Sequence, residues 1–326
     1  MVALAGCGAT GGSGSTSATS GADGELTTVR VAAMTNNCDH YYAIIGEETG
    51  IYEEYGLDVE VTEFAAGVNT VDAITTDQAD IGCLADYALV NRIGNTASDT
   101  DLRVVTRFAT SDPDSNHLYV NPDVISDLSD LEGNSIVTLT GTVWDYFCGI
   151  TLDAAGLTSD DVEILEVDSA QSALAVMTSG EGTAFWASGV NARKLEEAGM
   201  EPLISLADLG STTDQYYIAT ESFAADSADV LATFFEATAA IEDYLDDNPD
   251  ESAEIIATAL DVDTDDIATT LEALTFTLDF TTETLEHLDD IQEWAIGAGS
   301  FTEAYDMADF TSLDVLRELY PDAVEI

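Results

Sequence analysis

Few residues of this chain are suited to chemistry, and most of those lie in short turns that follow apolar runs. Asn37, Asp39, His40 and Tyr41 come just after VRVAAMT, Arg107 closes LRVVTRFAT, and Trp144 and Trp186 stand beside two further runs. A carboxylate, an imidazole, a phenol, a guanidinium and two indoles can pair, hydrogen-bond and stack. Breaking bonds asks for more, namely a convergent nucleophile–base pair or a metal cluster. Three histidines and four cysteines without CxxC spacing supply neither. The expectation is therefore binding rather than catalysis, with no cofactor and no metal. Asp261, Asp263, Asp265 and Glu272 fall at calcium-loop spacings, but Asp266 occupies the position that demands glycine. Thr264 and the acids after it read instead as a helix start.

The elements that must position these side chains alternate. Strand-like runs at 29–35, 57–65, 79–86 and 102–110 are separated by helical segments at 41–56 and 68–77. The pattern repeats with strands at 134–140, 162–168, 183–187 and 202–206, separated by helices near 142–155, 170–180 and 190–199. QYYIAT (215–220) is one more strand, and from there the chain reads as helical to its end, with Asn248-Pro249 opening a helix. Strand–helix–strand order with short links predicts parallel strands and an α/β layer fold. Two such units, joined by two connections, predict two lobes. Residues 26–120 and 213–326 form lobe 1, residues 121–212 form lobe 2, and residues 1–25 form a tether.

In open α/β sheets ligands bind beyond the carboxyl ends of strands. That rule selects Asn36, Asn37, Asp39, His40 and Tyr41, then Ala66 and Gly67, then Asp86 and Arg107 in lobe 1. In lobe 2 it selects Gly141, Thr142, Trp144, Gln171 and Trp186. TGTVW (140–144) is a strand end, a glycine turn and a helix start, whose free N–H groups suit an anion. Each candidate also has a structural reading: core packing for Trp144 and Trp186, an ion pair for Arg107, turn capping for Asp39 and Asp86, a surface place for His40. An anionic ligand would use Arg107 and the start at Thr142. An amine or ring-bearing ligand would use Tyr41, Trp144 and Trp186 with Asp39 or Asp86.

Composition narrows the partners. The 326 residues carry 64 acids against 7 bases, a net charge of −57. Such a surface repels nucleic acid. The hydrophobic content of 46 % supports well-formed cores. Leu4-Ala5-Gly6-Cys7 has the pattern of a lipoprotein cleavage site, although the charged start and long apolar core of a signal peptide do not precede it. The Gly/Ser/Thr/Ala-rich stretch after Cys7 suits a flexible tether, and no later apolar run approaches the ~20 residues of a membrane span. Of the other cysteines, Cys38 and Cys83 are the pair best placed to bond, with buried free thiols as the default.

Four segments resemble, in order, solute-binding proteins of ABC importers, of the nitrate/sulfonate/taurine/thiamine-precursor type. They are GEETGIYEEYGLDVEV, TTDQADIGCLAD, SDLSDLEGNSIVTLTGT and ESFAADSADVLATFFEATAAIEDYLDDNPDESAEIIA. The match runs over roughly residues 27–320, and the Gly-Lys usual before the second lobe is Gly133-Asn134 here. The resemblance implies a two-lobed, type II periplasmic-binding-protein fold. It implies a monomer that closes over a small molecule and delivers it to an ABC permease. It implies an extracytoplasmic place, anchored by lipid on Cys7 to the outer face of the cytoplasmic membrane. Two alternatives share the fold: an enzyme related to pyrimidine (thiamine-precursor) synthesis, and a tethered ligand sensor.

Overall fold

The computed structural model describes residues 26–326 apart from Asn36 and Ser98. The first half of lobe 1 contains β1 (Thr27–Met34), α1 (Cys38–Glu48), α2 (Ile51–Glu54), β2 (Leu57–Phe64), α3 (Gly67–Thr75), β3 (Ile81–Ala85), α4 (Asp86–Thr96) and β4 (Leu102–Ser111). The chain then builds a second sheet with β5 (His117–Val120), β6 (Ser135–Thr138), α5 (Val143–Ala155), β7 (Glu163–Glu166), α6 (Ala170–Ser179), β8 (Ala184–Ala187), α7 (Gly189–Glu197) and β9 (Glu201–Ser205). It returns through β10 (Thr213–Thr220), α8 (Glu221–Asp226), α9 (Ala228–Asp247), α10 (Pro249–Leu260), α11 (Thr264–Glu272), β11 (Leu274–Asp279), α12 (Thr282–Ala298) and α13 (Asp314–Leu319).

The first sheet has the order β11-β4-β10-β3-β1-β2 and the second β7-β6-β8-β5-β9. β3 is buried at every position, as a central strand covered on both faces must be. The edge strand β2 mixes exposed and half-buried residues. Helices close both faces through apolar stripes. In α9, Leu231, Phe234, Phe235, Thr238, Ile241 and Leu245 recur at helical spacing and are buried.

Four expectations change. The helix expected over 41–56 is two helices, broken at Gly50, which adopts φ +77°. The region after residue 220 is not wholly helical, because LTFTLD forms β11 against β4. Not all strands are parallel: β1 pairs parallel with β2 and β3, whereas β10 is antiparallel to both β3 and β4. A strand that re-enters from the other lobe without a crossover helix arrives in the opposite direction. Finally, β5 pairs with β8 and β9 in the second sheet, so the chain's first passage through the first lobe's sheet ends at Ser111 rather than at residue 120. The two crossings are therefore 111–117 and 205–213. They are tied to each other by Ser205 Oγ donating to Asp114 Oδ1 at 3.2 Å.

Candidate functional site

The carboxyl ends of β1, β2 and β3 place three helix starts on one edge of lobe 1. At the first, Asp39 is a structural clip. Its Oδ2 accepts from Met34 N–H at 2.8 Å and its Oδ1 accepts from Asn37 Nδ2 at 2.7 Å. It is 1 % exposed, and burial pushes its carboxyl up to about 6. Asn37 Nδ2 also lies 3.8 Å from Cys83 Sγ. Cys38, Cys83 and Cys148 are free buried thiols, all pushed up by burial. Tyr41 is buried, and its hydroxyl is pushed up for the same reason. His40 is buried with Nε2 3.8 Å from Glu63 Oε1, while its Nδ1 meets no described partner. Burial lowers its pKa against the opposing pull of Glu63.

The second start is at Ala66, in extended conformation. Gly67 packs so closely that an added Cβ would lie 2.8 Å from Leu84 Cδ2. The third is at Asp86, fully buried. Its Oδ1 accepts from Tyr87 N–H at 2.6 Å, and its Oδ2 accepts from Asp214 N–H at 3.0 Å and lies 3.0 Å from His287 Nε2. Arg107, expected to face a ligand, is engaged instead. Its Nε and Nη2 donate to both oxygens of Asp279 at 2.8 and 2.9 Å, and Nη1 donates to Asp214 Oδ2 at 3.3 Å. These two carboxylates outweigh burial and hold the guanidinium pKa above its ordinary value.

Lobe 2 presents the turn before α5. Gly141 has φ +77°, a conformation that favours glycine, and its N–H donates to Asp145 Oδ2 at 3.2 Å. A Cβ there would stand 3.6 Å from Asn91 Nδ2 on α4, so this turn lies against lobe 1. Thr142 spends its hydroxyl on Leu139 C=O at 2.6 Å and caps nothing. Trp144 is half-buried with its ring 5.4 Å from Phe185. Gln171 is exposed on α6. Trp186 is not a wall of the gap: it is 1 % exposed, packs 5.5 Å from Phe147 and donates from Nε1 to Thr151 Oγ1 at 2.9 Å. Every residue of β8 is buried, so no polar alternation marks which side of the strand Trp186 faces.

At most strand ends of the two lobes, before α1, α3, α4, α5 and α7, no side chain caps the helix, whereas Ser169 after β7 caps α6 and Thr220, Asp263 and Thr281 cap α8, α11 and α12. Asp263 confirms the helix start read at Thr264. The N–H groups of Gly67 and Val68 in lobe 1, and of Val143 and Trp144 in lobe 2, donate to no described residue. Helix starts of this kind offer aligned donors and a positive dipole end. Sequence reasoning missed His287, which lies 201 residues from its partner Asp86.

Residues 37–252 match the family model described as NMT1/THI5 like. The chain belongs to this family. A Brucella abortus protein described only as a binding protein is 24 % identical over 238 residues, 72 % of each chain. Among solved structures, the alkanesulfonate-binding protein SsuA of Xanthomonas axonopodis pv. citri, bound to MOPS, superposes with a TM-score of 0.76 at 14 % identity. That match covers 89 % of this chain and 99 % of SsuA. The desulfurization enzyme DSZB superposes with a TM-score of 0.71 at 14 % identity, over 91 % and 99 % of the two chains. The fold of this family member is therefore that of the periplasmic binding proteins, a fold that an enzyme also uses.

Proposed function

We propose that this protein is the extracytoplasmic solute-binding component of an ABC importer. It would capture a small organic or anionic solute between its lobes and hand it to the permease. The observation that carries this reading is the set of unused N–H donors at helix starts on both lobes, Gly67 and Val68 on one and Val143 and Trp144 on the other, with the turn before α5 meeting Asn91 of α4. Every arginine is already in an ion pair, and the single lysine, Lys194, is exposed on α7. An acceptor group on the solute would thus be held by backbone N–H rather than by a side-chain cation, with Trp144 and the unpartnered His40 Nδ1 as further contacts. The names of the relatives support a binding role. A thiol-based reaction would need a lowered Cys38 pKa, and burial moves it the other way.

A thermal-shift panel of MOPS, short alkanesulfonates, taurine, nitrate and pyrimidines tests the reading. Val143→Pro then tests the site. Proline at the first helical position removes one N–H at little cost to the helix, and Thr142 is already extended, as a residue before proline must be. The variant should keep its Tm and bind the active compound several-fold more weakly. A panel without any shift, or unaltered binding, would defeat the proposal. Membrane attachment through Cys7, which lies outside the described residues, is part of the same reading. Cys7→Ser should release the full-length protein from membranes.

A further inference from the structure

The two lobes meet through a contact that no strand-end residue takes part in. Trp294 on α12 of lobe 1 donates from Nε1 to Asp153 Oδ2 on α5 of lobe 2 at 2.9 Å. Its indole lies where a Cβ of Gly149 would stand. Gly149 is in the interior of α5, where glycine costs roughly 1 kcal/mol relative to alanine, and the ring seated over it gives a reason for that choice. The ring of Trp294 also meets Tyr146 of α5 edge-on at 5.0 Å and Tyr87 of α4 at 5.8 Å, while Tyr87 and Tyr146 stack on each other between the lobes at 5.5 Å with planes 10° apart. Tyr146, Gly149 and Asp153 follow at three- and four-residue steps and so form one face of α5.

α12 is itself fixed to lobe 1. His287, two turns before Trp294 and on the same face, pairs with Asp86 beneath α4. The helix is thus anchored at one end and gripping the other lobe at the next. A second bridge lies between α7 and α11, where Arg193 Nη2 donates to the buried Asp266 Oδ2 at 2.7 Å and Gly189 backs onto Thr270.

We propose that Trp294 is a positioning residue for lobe closure: its indole, seated in the notch over Gly149 and bonded to Asp153, sets the balance between closed and open arrangements. Closing on a solute presents two lobes in one register, so a clasp between the lobes tunes affinity through the balance of open and closed arrangements. This rests on the reading that the lobes close around a solute, but its test needs no solute.

Spin labels at the exposed Val68 and Val124, one on each lobe, report the inter-lobe distance by pulsed electron resonance. Trp294→Ala should shift the distribution to longer distances. Gly149→Leu should do the same, because the leucine needs the space of the indole. The two together should return the distribution toward that of the parent, since the leucine fills the vacated notch. Trp294→Phe, which retains a ring but loses the donor, should fall between parent and alanine, and it serves as the milder variant should the alanine protein fold poorly. A Tm loss with unchanged distances in Trp294→Ala and Trp294→Phe would make the contact packing only and overturn the proposal. A double variant no closer to the parent than the single ones would do so as well.

Discussion

His287 Nε2 lies 3.0 Å from Asp86 Oδ2, joining a helix near the end of the chain to the first residue of α4. Asp86 is completely buried, and the same oxygen takes the N–H of Asp214, whose own Oδ2 accepts from Arg107 and from Tyr216 Oη at 3.1 Å. The polar groups at the root of the two lobe crossings therefore form one connected network, and Asp279 closes it through Arg107.

Removing the partner of a buried carboxylate leaves its charge without compensation, which costs about 3–5 kcal/mol. His287→Gln should lower unfolding free energy on that order in denaturant titrations. Asp86→Ala should do at least as much, because three donors lose their acceptor. A loss below about 1 kcal/mol for both, the scale of an exposed pair, would show that the network is not cooperative.

Acidity should stabilise the protein. Asp39 is pushed up to about 6 and Glu242 to about 7, mainly by burial, and His287 is raised because Asp86 and Asp214 outweigh its burial. In all three the folded state holds a proton more tightly than the unfolded chain. Their contribution is present below the unfolded pKa values and is lost as pH rises through the folded ones. His40, lowered by burial, opposes this only just below its ordinary range. Tm should therefore fall from about pH 4 to about pH 7, with His287 extending the fall above its ordinary range. Glu242→Gln, which still accepts from Tyr42 Oη at the 2.8 Å contact, should flatten the upper part of the curve. A Tm that climbs over this range would contradict the burial of these groups.

The sequence made the strand ends legible where the signal was local. Apolar runs followed by polar turns put helix starts at 41, 68 and about 142, against Cys38, Gly67 and Val143 in the structure, because strand ends and helix starts leave their mark within a few residues. Contacts between distant segments left no such mark. Arg107 finds Asp279 172 residues away, and nothing in LRVVTRFAT announces that partner. Trp186 lies in a four-residue strand buried on both faces, so periodicity could not assign it a side. β11 was hidden in a helical region, although Leu274, Phe276 and Leu278 do alternate, and that period-two pattern was the signal available. Gly149 was visible as a glycine in a helix, but only the distant Trp294 explains it.

The charge balance predicts a strong response to salt. Six arginines are each matched to carboxylates, which leaves most of the 64 acids facing one another across solvent. Screening shortens from a Debye length of about 10 Å at 0.1 M to about 3 Å at 1 M, which relieves that repulsion. Tm should rise steadily with sodium chloride over this range. A flat or falling curve would mean that the acids are already neutralised by bound cations.

The two tryptophans of lobe 2 should separate stability from binding. Trp186 is enclosed, 1 % exposed, with its N–H bonded to Thr151. Replacing a core aromatic by alanine costs roughly 3–5 kcal/mol, so Trp186→Ala should lower Tm sharply. Its effect on solute affinity should be only what a loosened lobe produces. Trp144 stands in the first turn of α5, half-buried, with one ring contact to Phe185 and its N–H donating to no described residue. Losing a partly exposed ring removes less apolar burial. If that ring stacks on a bound solute, the loss also takes away about 0.5–1.5 kcal/mol of aromatic contact beyond the area term. Trp144→Ala should therefore melt near the parent and bind several-fold more weakly in titration calorimetry with whichever compound the thermal-shift panel selects. If Trp144→Ala melts as low as Trp186→Ala and binds unchanged, the start of α5 is part of the core alone. The donors at Val143 would then have to act without an aromatic neighbour.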